Sequence, residues 1–376
     1  MRSKLRSVVW AWASSLALVA ACGGDEETGG VVARDTSAGP DLAADAGEVT
    51  VAPDVVDEDT TLVLDVPPAD TTVADAIATD STIADAVDAT SPAEVATTDA
   101  PVAPDAVVGP CFGAAAAGHR KVTCGDIGFD VEVPAACLVP GACGLIVDIH
   151  GWTMTADLED LNTGMRARGG AAGYVVVQPT APGLAGIPTW DLGRHADDIH
   201  DFVVEVQAVL ATDPDRSHVM GFSQGGALTW TLVCDHADFY ASAAPIGALP
   251  GCQFKGGDVP AREVDVLAVH GRQDSVVQFS QHVSQRDAAL DHWPFGDPTV
   301  FREDDDHKAT RWTTPSGTVF ESWEHDYEAQ SIILRGHCFP GSEHLGGGLQ
   351  LTFGCTAQGT FDFGEIALAF FQAHAR

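Results

Sequence analysis

Two rhythms of apolar residues run through the second two-thirds of the chain. Short continuous runs end in glycine or a turn: "GLIVDIHG" (144–151), "GYVVVQPT" (173–180), "ASAAPIGA" (241–248) and "VDVLAVHG" (264–271). Runs of that length predict strands buried on both faces. Between them the spacing lengthens. In "DDIHDFVVEVQAVLAT" (197–212), Ile199, Val203, Val206 and Leu210 recur every three or four positions, which predicts an amphipathic helix. A polar, Ala-rich stretch predicts another helix over roughly 156–170. "DPDRSHVMG" reads as a turn and a very short strand, and "GGALTWTLVCDH" as a helix that opens on glycine. "FESWEHDY" and "SIILRGH" read as a late pair of strands, and "FGEIALAFFQAHA" as a closing helix. Strands alternating with helices predict an α/β fold with a mostly parallel sheet flanked by helices.

The first third follows neither rhythm. "MRSKLR" places three cations ahead of "VVWAWASSLALVAA", an apolar stretch too short to span a bilayer, so residues 1–21 read as a signal peptide. "LVAAC" resembles the lipobox of bacterial lipoproteins, which implies cleavage before Cys22 and a membrane anchor through a lipid on its sulfur. Gly23 after Cys22 favours the outer membrane or cell surface by analogy with lipoprotein sorting. Residues 23–110 hold 20 acids against one base and no cysteine, aromatic or histidine. Such a segment cannot bury enough apolar surface to fold. Residues 22–109 are therefore expected to be a disordered acidic tether, and 110–376 a single catalytic domain.

Charge and cysteines narrow the function further. The whole chain carries a formal net charge of −35, which argues against nucleic acid as a partner. The folded part holds Cys111, Cys124, Cys137, Cys143, Cys234, Cys252, Cys338 and Cys355. Eight cysteines on an exported chain predict disulfides; the sequence leaves 105 connectivities open, of which pairing of sequence neighbours suggests 111–124, 137–143, 234–252 and 338–355.

Candidate chemistry gathers at predicted strand ends, where parallel sheets place their sites. Gly221-Phe222-Ser223-Gln224-Gly225 fits a nucleophile elbow, a cramped strand-to-helix turn in which side chains at 221 and 225 would collide. A serine hydroxyl needs a base. Asp274 and His337 each follow a predicted strand, in the order serine, acid, histidine. Ser223 is the expected nucleophile, His337 the general base and then acid, and Asp274 the group that orients the imidazole. His344 is the rival base, and Asp265 lies at the wrong end of its strand. Oxyanion donors are expected from the backbone N–H of Gln224 and of Trp152, with Thr153 the second choice for the latter; each is worth about 3 kcal/mol of barrier. Trp152 and Trp190 are candidate substrate-binding aromatics, with core packing as the alternative for Trp190, Trp230 and Trp323. His150 and His270 read as structural histidines at tight turns. His195 and His200 read as a solvated helix face rather than a metal site, and no metal is expected. "REDDDHK" (302–308) reads as an exposed acidic loop, with calcium as the less favoured alternative.

From about residue 140 onward the chain resembles the secreted polyhydroxybutyrate depolymerase and feruloyl esterase family of α/β-hydrolases. The resemblance rests on "IVDIHGWT", "GYVVVQPT", "DPDRSHVMGFSQGGAL", "VLAVHGRQDSVVQF" and "LRGHCFPG". The family pattern of a serine elbow after DP-x-R, an aspartate in HG-x-x-D and a histidine in GH-x-x-PG implies the same triad of Ser223, Asp274 and His337. It implies a serine esterase that passes through an acyl-enzyme with water as the acceptor and no cofactor. Trp152 stands where relatives often carry cysteine. "GFSQGGAL" also resembles the acyl-protein thioesterase and carboxylesterase branch, so an esterase or thioesterase of small molecules is a second reading. A non-catalytic surface-binding lipoprotein on the same scaffold is a third.

Overall fold

The computed structural model describes residues 109–329, 331, 333–342, 353–356 and 361–376. The signal peptide, Cys22, nearly all of the tether and His344 lie outside the described residues. Among those described, no helix is long and apolar enough to cross a membrane.

The elements run β1 (Gly118–Cys124), β2 (Ile127–Val133), β3 (Gly144–Ile149), α1 (Ala156–Thr163), α2 (Met165–Ala171), β4 (Tyr174–Thr180), β5 (Gly183–Leu184), β6 (Ile187–Pro188) and α3 (His195–Leu210). They continue with β7 (Ser217–Phe222), α4 (Gln224–Asp235), β8 (Ser242–Ile246), β9 (Asp265–Gly271), α5 (Phe279–His292), β10 (Thr299–Glu303), β11 (His307–Thr313), β12 (Val319–His325) and α6 (Phe363–Ala373). Ten strands form one sheet in the order β1-β2-β4-β3-β7-β8-β9-β12-β11-β10. The central strands from β4 to β12 are parallel, and antiparallel strands extend both edges. This is the strand arrangement of an α/β-hydrolase, as the sequence predicted.

The apolar runs are continuous because both faces of the sheet are covered. On β3, Leu145, Val147 and Ile149 join the core formed with α3 and α4, while Ile146 joins the core that holds Phe363, Phe370 and Phe371 of α6. Each such side chain, fully buried, contributes about 1.5–3 kcal/mol. On α3 the four predicted positions, Ile199, Val203, Val206 and Leu210, are all buried.

Two expectations fail locally. The single helix expected over roughly 156–170 is two helices, because Gly164 sits at φ 60° and closes α1 in a left-handed turn. "SIILRGH" is not a strand. Its described residues fold back on themselves, with the N–H groups of Leu334 and Arg335 bonded to Ser331 O (2.9 and 3.2 Å) and Arg335 at φ 44°.

The eight cysteines form four bridges, Cys111–Cys124, Cys137–Cys143, Cys234–Cys252 and Cys338–Cys355. Closing a loop of such length is worth about 3 kcal/mol in the chain-entropy account.

One buried cluster ties β3 to α1. Asp148 Oδ2 accepts hydrogen bonds from Gln178 Nε2 (2.7 Å) and Thr163 Oγ1 (2.8 Å). Glu159 faces it, fully buried, with no donor to either carboxyl oxygen. Burial pushes Asp148 up to about 7 and Glu159 well above its ordinary value, so this pair holds a proton that the unfolded chain releases near pH 4. The folded state therefore binds more protons, and stability falls as pH rises from about 4 through about 7. Glu159→Gln, whose amide can donate to Asp148, is expected to melt progressively higher than the parent chain as pH goes from 5 to 8. Parallel melting curves across that range would contradict the shared proton.

Candidate active site

The turn after β7 is as tight as the glycine spacing requires. Ser223 has φ 55° and ψ −111°, a strained conformation for a residue with a side chain, and α4 starts at the next residue. A Cβ on Gly221 would lie 2.6 Å from Gly225 O, and one on Gly225 would lie 1.9 Å from Ile149 O. Glycine at both positions lets β7, α4 and the end of β3 meet at one point.

Asp274 lies in the turn after β9, and both of its oxygens are engaged. Oδ1 accepts from the N–H groups of Val276 and Val277 (2.8 Å each), and Oδ2 lies 2.7 Å from His337 Nδ1. That bond fixes the proton of a neutral His337 on Nδ1 and leaves Nε2 free as the basic nitrogen. The His337 ring packs on Phe222, the residue before Ser223, with ring centroids 4.5 Å apart. Gly247 makes room for it, since a Cβ there would lie 3.3 Å from His337 Nδ1 and Cε1. Gly336 brings the segment close, because a Cβ at that position would lie 2.9 Å from Asp274 N. Ser223, Asp274 and His337 are all buried. Among the described residues the Ser223 hydroxyl has no hydrogen-bond partner. Such bonds often form only when substrate is in place.

The loop after β3 supplies the opposite wall. His150 is fully buried, and its Nε2 accepts from Ala181 N–H (3.0 Å) while Nδ1–H donates to Gly151 O (2.6 Å). Burial lowers its pKa to about 4, so it stays neutral and structural, as expected. Thr153, the second choice as an oxyanion donor, gives its N–H to Pro188 O (3.0 Å). The N–H groups of Trp152 and Gln224 have no acceptor among the described residues. The side chain of Gln224 faces Trp190 N (3.3 Å) and Thr189 Oγ1 (3.4 Å), which ties the elbow to the segment after β6.

The two candidate binding tryptophans differ. Trp152 is 44% exposed. Trp190 is buried, with its indole N–H on His150 O (2.8 Å), and so supports the loop from within. Trp230 and Trp323 are core residues. The expected solvated face of α3 needs correction at His195, which is buried and accepts Asp191 N–H on Nδ1 (2.9 Å). The buried core on that side draws the ring inward. Together with Asp126 and Asp198, His195 makes the one grouping of three potential metal ligands among the described residues. Arg194 already pairs with both acids there (2.7 and 3.0 Å) and also lies against His195 Nε2 (2.6 Å), so its guanidinium fills the space between these groups. The acidic run 302–308 spans the turn from β10 to β11, where Asp304 Oδ1 accepts from the N–H groups of Asp306 and His307 (2.9 Å each).

Sequence reasoning missed Gly247 and the contact of His270 with Asp274. The glycine in "PIGA" just past a strand end was the available signal for the first.

No family model matches the chain. The bifunctional acetylxylan esterase/xylanase XynS20E of Neocallimastix patriciarum is 27% identical over 156 residues, covering 41% of this chain and 22% of the relative. Feruloyl esterase B of Piromyces equi is 33% identical over 104 residues, 26% of this chain and 19% of the relative. The chain is related to carboxylic-ester hydrolases. It spans less than half the length of the curated relatives it matches. Among solved structures, an acetyl xylan esterase from Aspergillus awamori superposes with a TM-score of 0.46 at 15% identity, covering 55% of this chain and 93% of the other.

Proposed function

We propose that this chain is a serine esterase acting outside the cytoplasm on esters of plant cell-wall polysaccharide. The observation that carries the chemistry is the buried Asp274–His337 hydrogen bond of 2.7 Å, set against the strained Ser223 turn. In this reading Ser223 Oγ attacks the ester carbonyl as His337 Nε2 takes its proton. The N–H groups of Gln224 and Trp152 receive the oxyanion. The alcohol leaves with the proton from His337, and the acyl group stays on Ser223. Water, deprotonated by His337, then releases the acid. Asp274 keeps the imidazole in the required tautomer and balances its positive charge.

Plant-wall esters are favoured by the names of the relatives, an acetylxylan esterase and a feruloyl esterase. The exposed Trp152 beside the elbow offers a flat face to a sugar or an aryl acid. The family resemblance keeps polyester of the polyhydroxybutyrate type as the second reading. Four disulfides fit an oxidising compartment, and the "LVAAC" motif supports a lipid anchor at Cys22 with the acidic segment as its tether.

A substrate panel tests the reading, with p-nitrophenyl acetate, methyl ferulate, acetylated xylan and polyhydroxybutyrate film offered to the full mature chain. Turnover of xylan or ferulate esters without film clearing is the expected result. Film clearing alone would overturn the plant-wall reading, and p-nitrophenyl acetate turnover alone would point to small soluble esters. Failure of Ser223 to react with a fluorophosphonate in the folded protein would instead point to a binding protein.

A further inference from the structure

We propose that His270 is a positioning residue for the Asp274–His337 pair, pinning the turn that carries the carboxylate by its bond to Val277 O and setting its N–H dipole beside Asp274 Oδ2, which tempers the basicity of His337. The proposal rests on the esterase reading for its catalytic consequence, though not for its geometry.

His270 is the next-to-last residue of β9 and is buried. Its Nε2 lies 2.8 Å from Val277 O and 3.4 Å from Asp274 Oδ2. A carbonyl oxygen only accepts, so the His270 proton sits on Nε2 and is donated to Val277 O, with Asp274 Oδ2 beside it outside hydrogen-bond geometry. Both oxygens belong to the turn that presents Asp274. Nδ1 is then the bare nitrogen, and it has no hydrogen-bond partner. Asp274 Oδ1 is already filled by the N–H groups of Val276 and Val277. His337 hydrogen-bonds Oδ2 at 2.7 Å, and the His270 N–H lies near the same oxygen, at 3.4 Å, as an electrostatic neighbour. The His270 N–H, by its bond to Val277 O, pins the turn that presents the carboxylate and places its dipole beside Oδ2. It also draws off part of the negative charge that would otherwise stabilise a protonated His337.

The surroundings keep His270 neutral. From α5, His282 stacks on it with centroids 5.1 Å apart and lies 3.0 Å from Ser322 Oγ. His325 of β12 lies behind, and burial holds all three histidines below their ordinary values, with His325 near 3. The cations beyond are already paired, Arg272 with Asp326 and Glu324, and Arg286 with Glu324 and Asp287. Asp274 and His337 are thus the ionisable groups that the His270 N–H addresses directly.

The test compares His270→Phe, which keeps a ring against His282 and lacks the donor, with His270→Gln, which keeps a donor. With p-nitrophenyl acetate, His270→Phe is expected to lose about ten- to hundredfold in kcat, the range seen for partners that orient metal ligands. KM should stay put, and the acid limb of kcat/KM should move to higher pH by about half a unit. His270→Gln should recover most of both effects. A purely structural role would lower the melting temperature and leave the pH profile where it was, and that outcome overturns the proposal. Two measurements need no turnover. Nitrogen NMR of the parent chain should find His270 protonated on Nε2, and an Nδ1–H tautomer overturns the proposal. The low-field proton of the Asp274–His337 bond, assigned by its loss in His337→Gln, should shift in His270→Phe, and an unmoved resonance overturns it. If the parent chain hydrolyses no ester, the esterase reading fails while these two spectra still decide the proposal.

Discussion

Ser223→Ala is expected to lower ester hydrolysis by about 10⁶-fold while leaving the fold intact. The hydroxyl has no hydrogen-bond partner among the described residues, so its loss leaves no buried group stranded. The strain at φ 55° is the same for alanine as for serine, and the change in stability should stay within about 0.5 kcal/mol. The assay is initial rate against the parent chain, with circular dichroism and melting temperature as the fold controls. Residual turnover from the two proposed oxyanion N–H groups should persist above the buffer rate. Activity within tenfold of the parent would mean that another group attacks the ester.

The second large effect is Asp274→Asn, expected to cost about 10⁴-fold in kcat with little change in fold. The asparagine carbonyl can still accept the N–H groups of Val276 and Val277, which fixes the side chain in the orientation of the aspartate. Its amide NH₂ must then face His337 Nδ1, where Oδ2 now accepts at 2.7 Å. Two donors cannot meet, so the imidazole moves its proton to Nε2 and loses the lone pair that would deprotonate Ser223. Labelling by a fluorophosphonate should slow in parallel with turnover. Loss of turnover with labelling at the parent rate would place the role of Asp274 after acylation.

What could be read beforehand followed from burial and from local crowding. The central strands announced themselves because their residues are buried on both faces. The elbow at Ser223 was legible because the clash that Gly221 avoids, with Gly225 O, lies within five residues, although the closer clash at Gly225 is with Ile149 of β3. Asp274 follows the end of β9 as expected, whereas the strand expected before His337 is absent, so that histidine was reached only through its chain order and the GH-x-x-PG pattern. The edges of the sheet were silent: β1 is half exposed and β10 wholly so, with neither an apolar run nor a clean alternation. α5 was missed for a related reason, since His282, Gln285 and Ala289 are the residues it buries. "SIILRGH" looked like a strand on composition, and its fold-back depends on contacts with the distant Gly271–Asp274 turn. Trp190 shows the same limit, because a tryptophan near a loop does not reveal which way its ring turns until the neighbouring His150 carbonyl is in place.

His337 is followed at once by Cys338, whose bridge to Cys355 is reinforced by Phe339 N–H on Phe353 O (2.7 Å) and Cys355 N–H on Phe339 O (3.0 Å). The proposed base is thus clasped by chain made after the elbow and the aspartate. A nascent polypeptide released short of residue 355 would own the elbow and the aspartate but not the buckle.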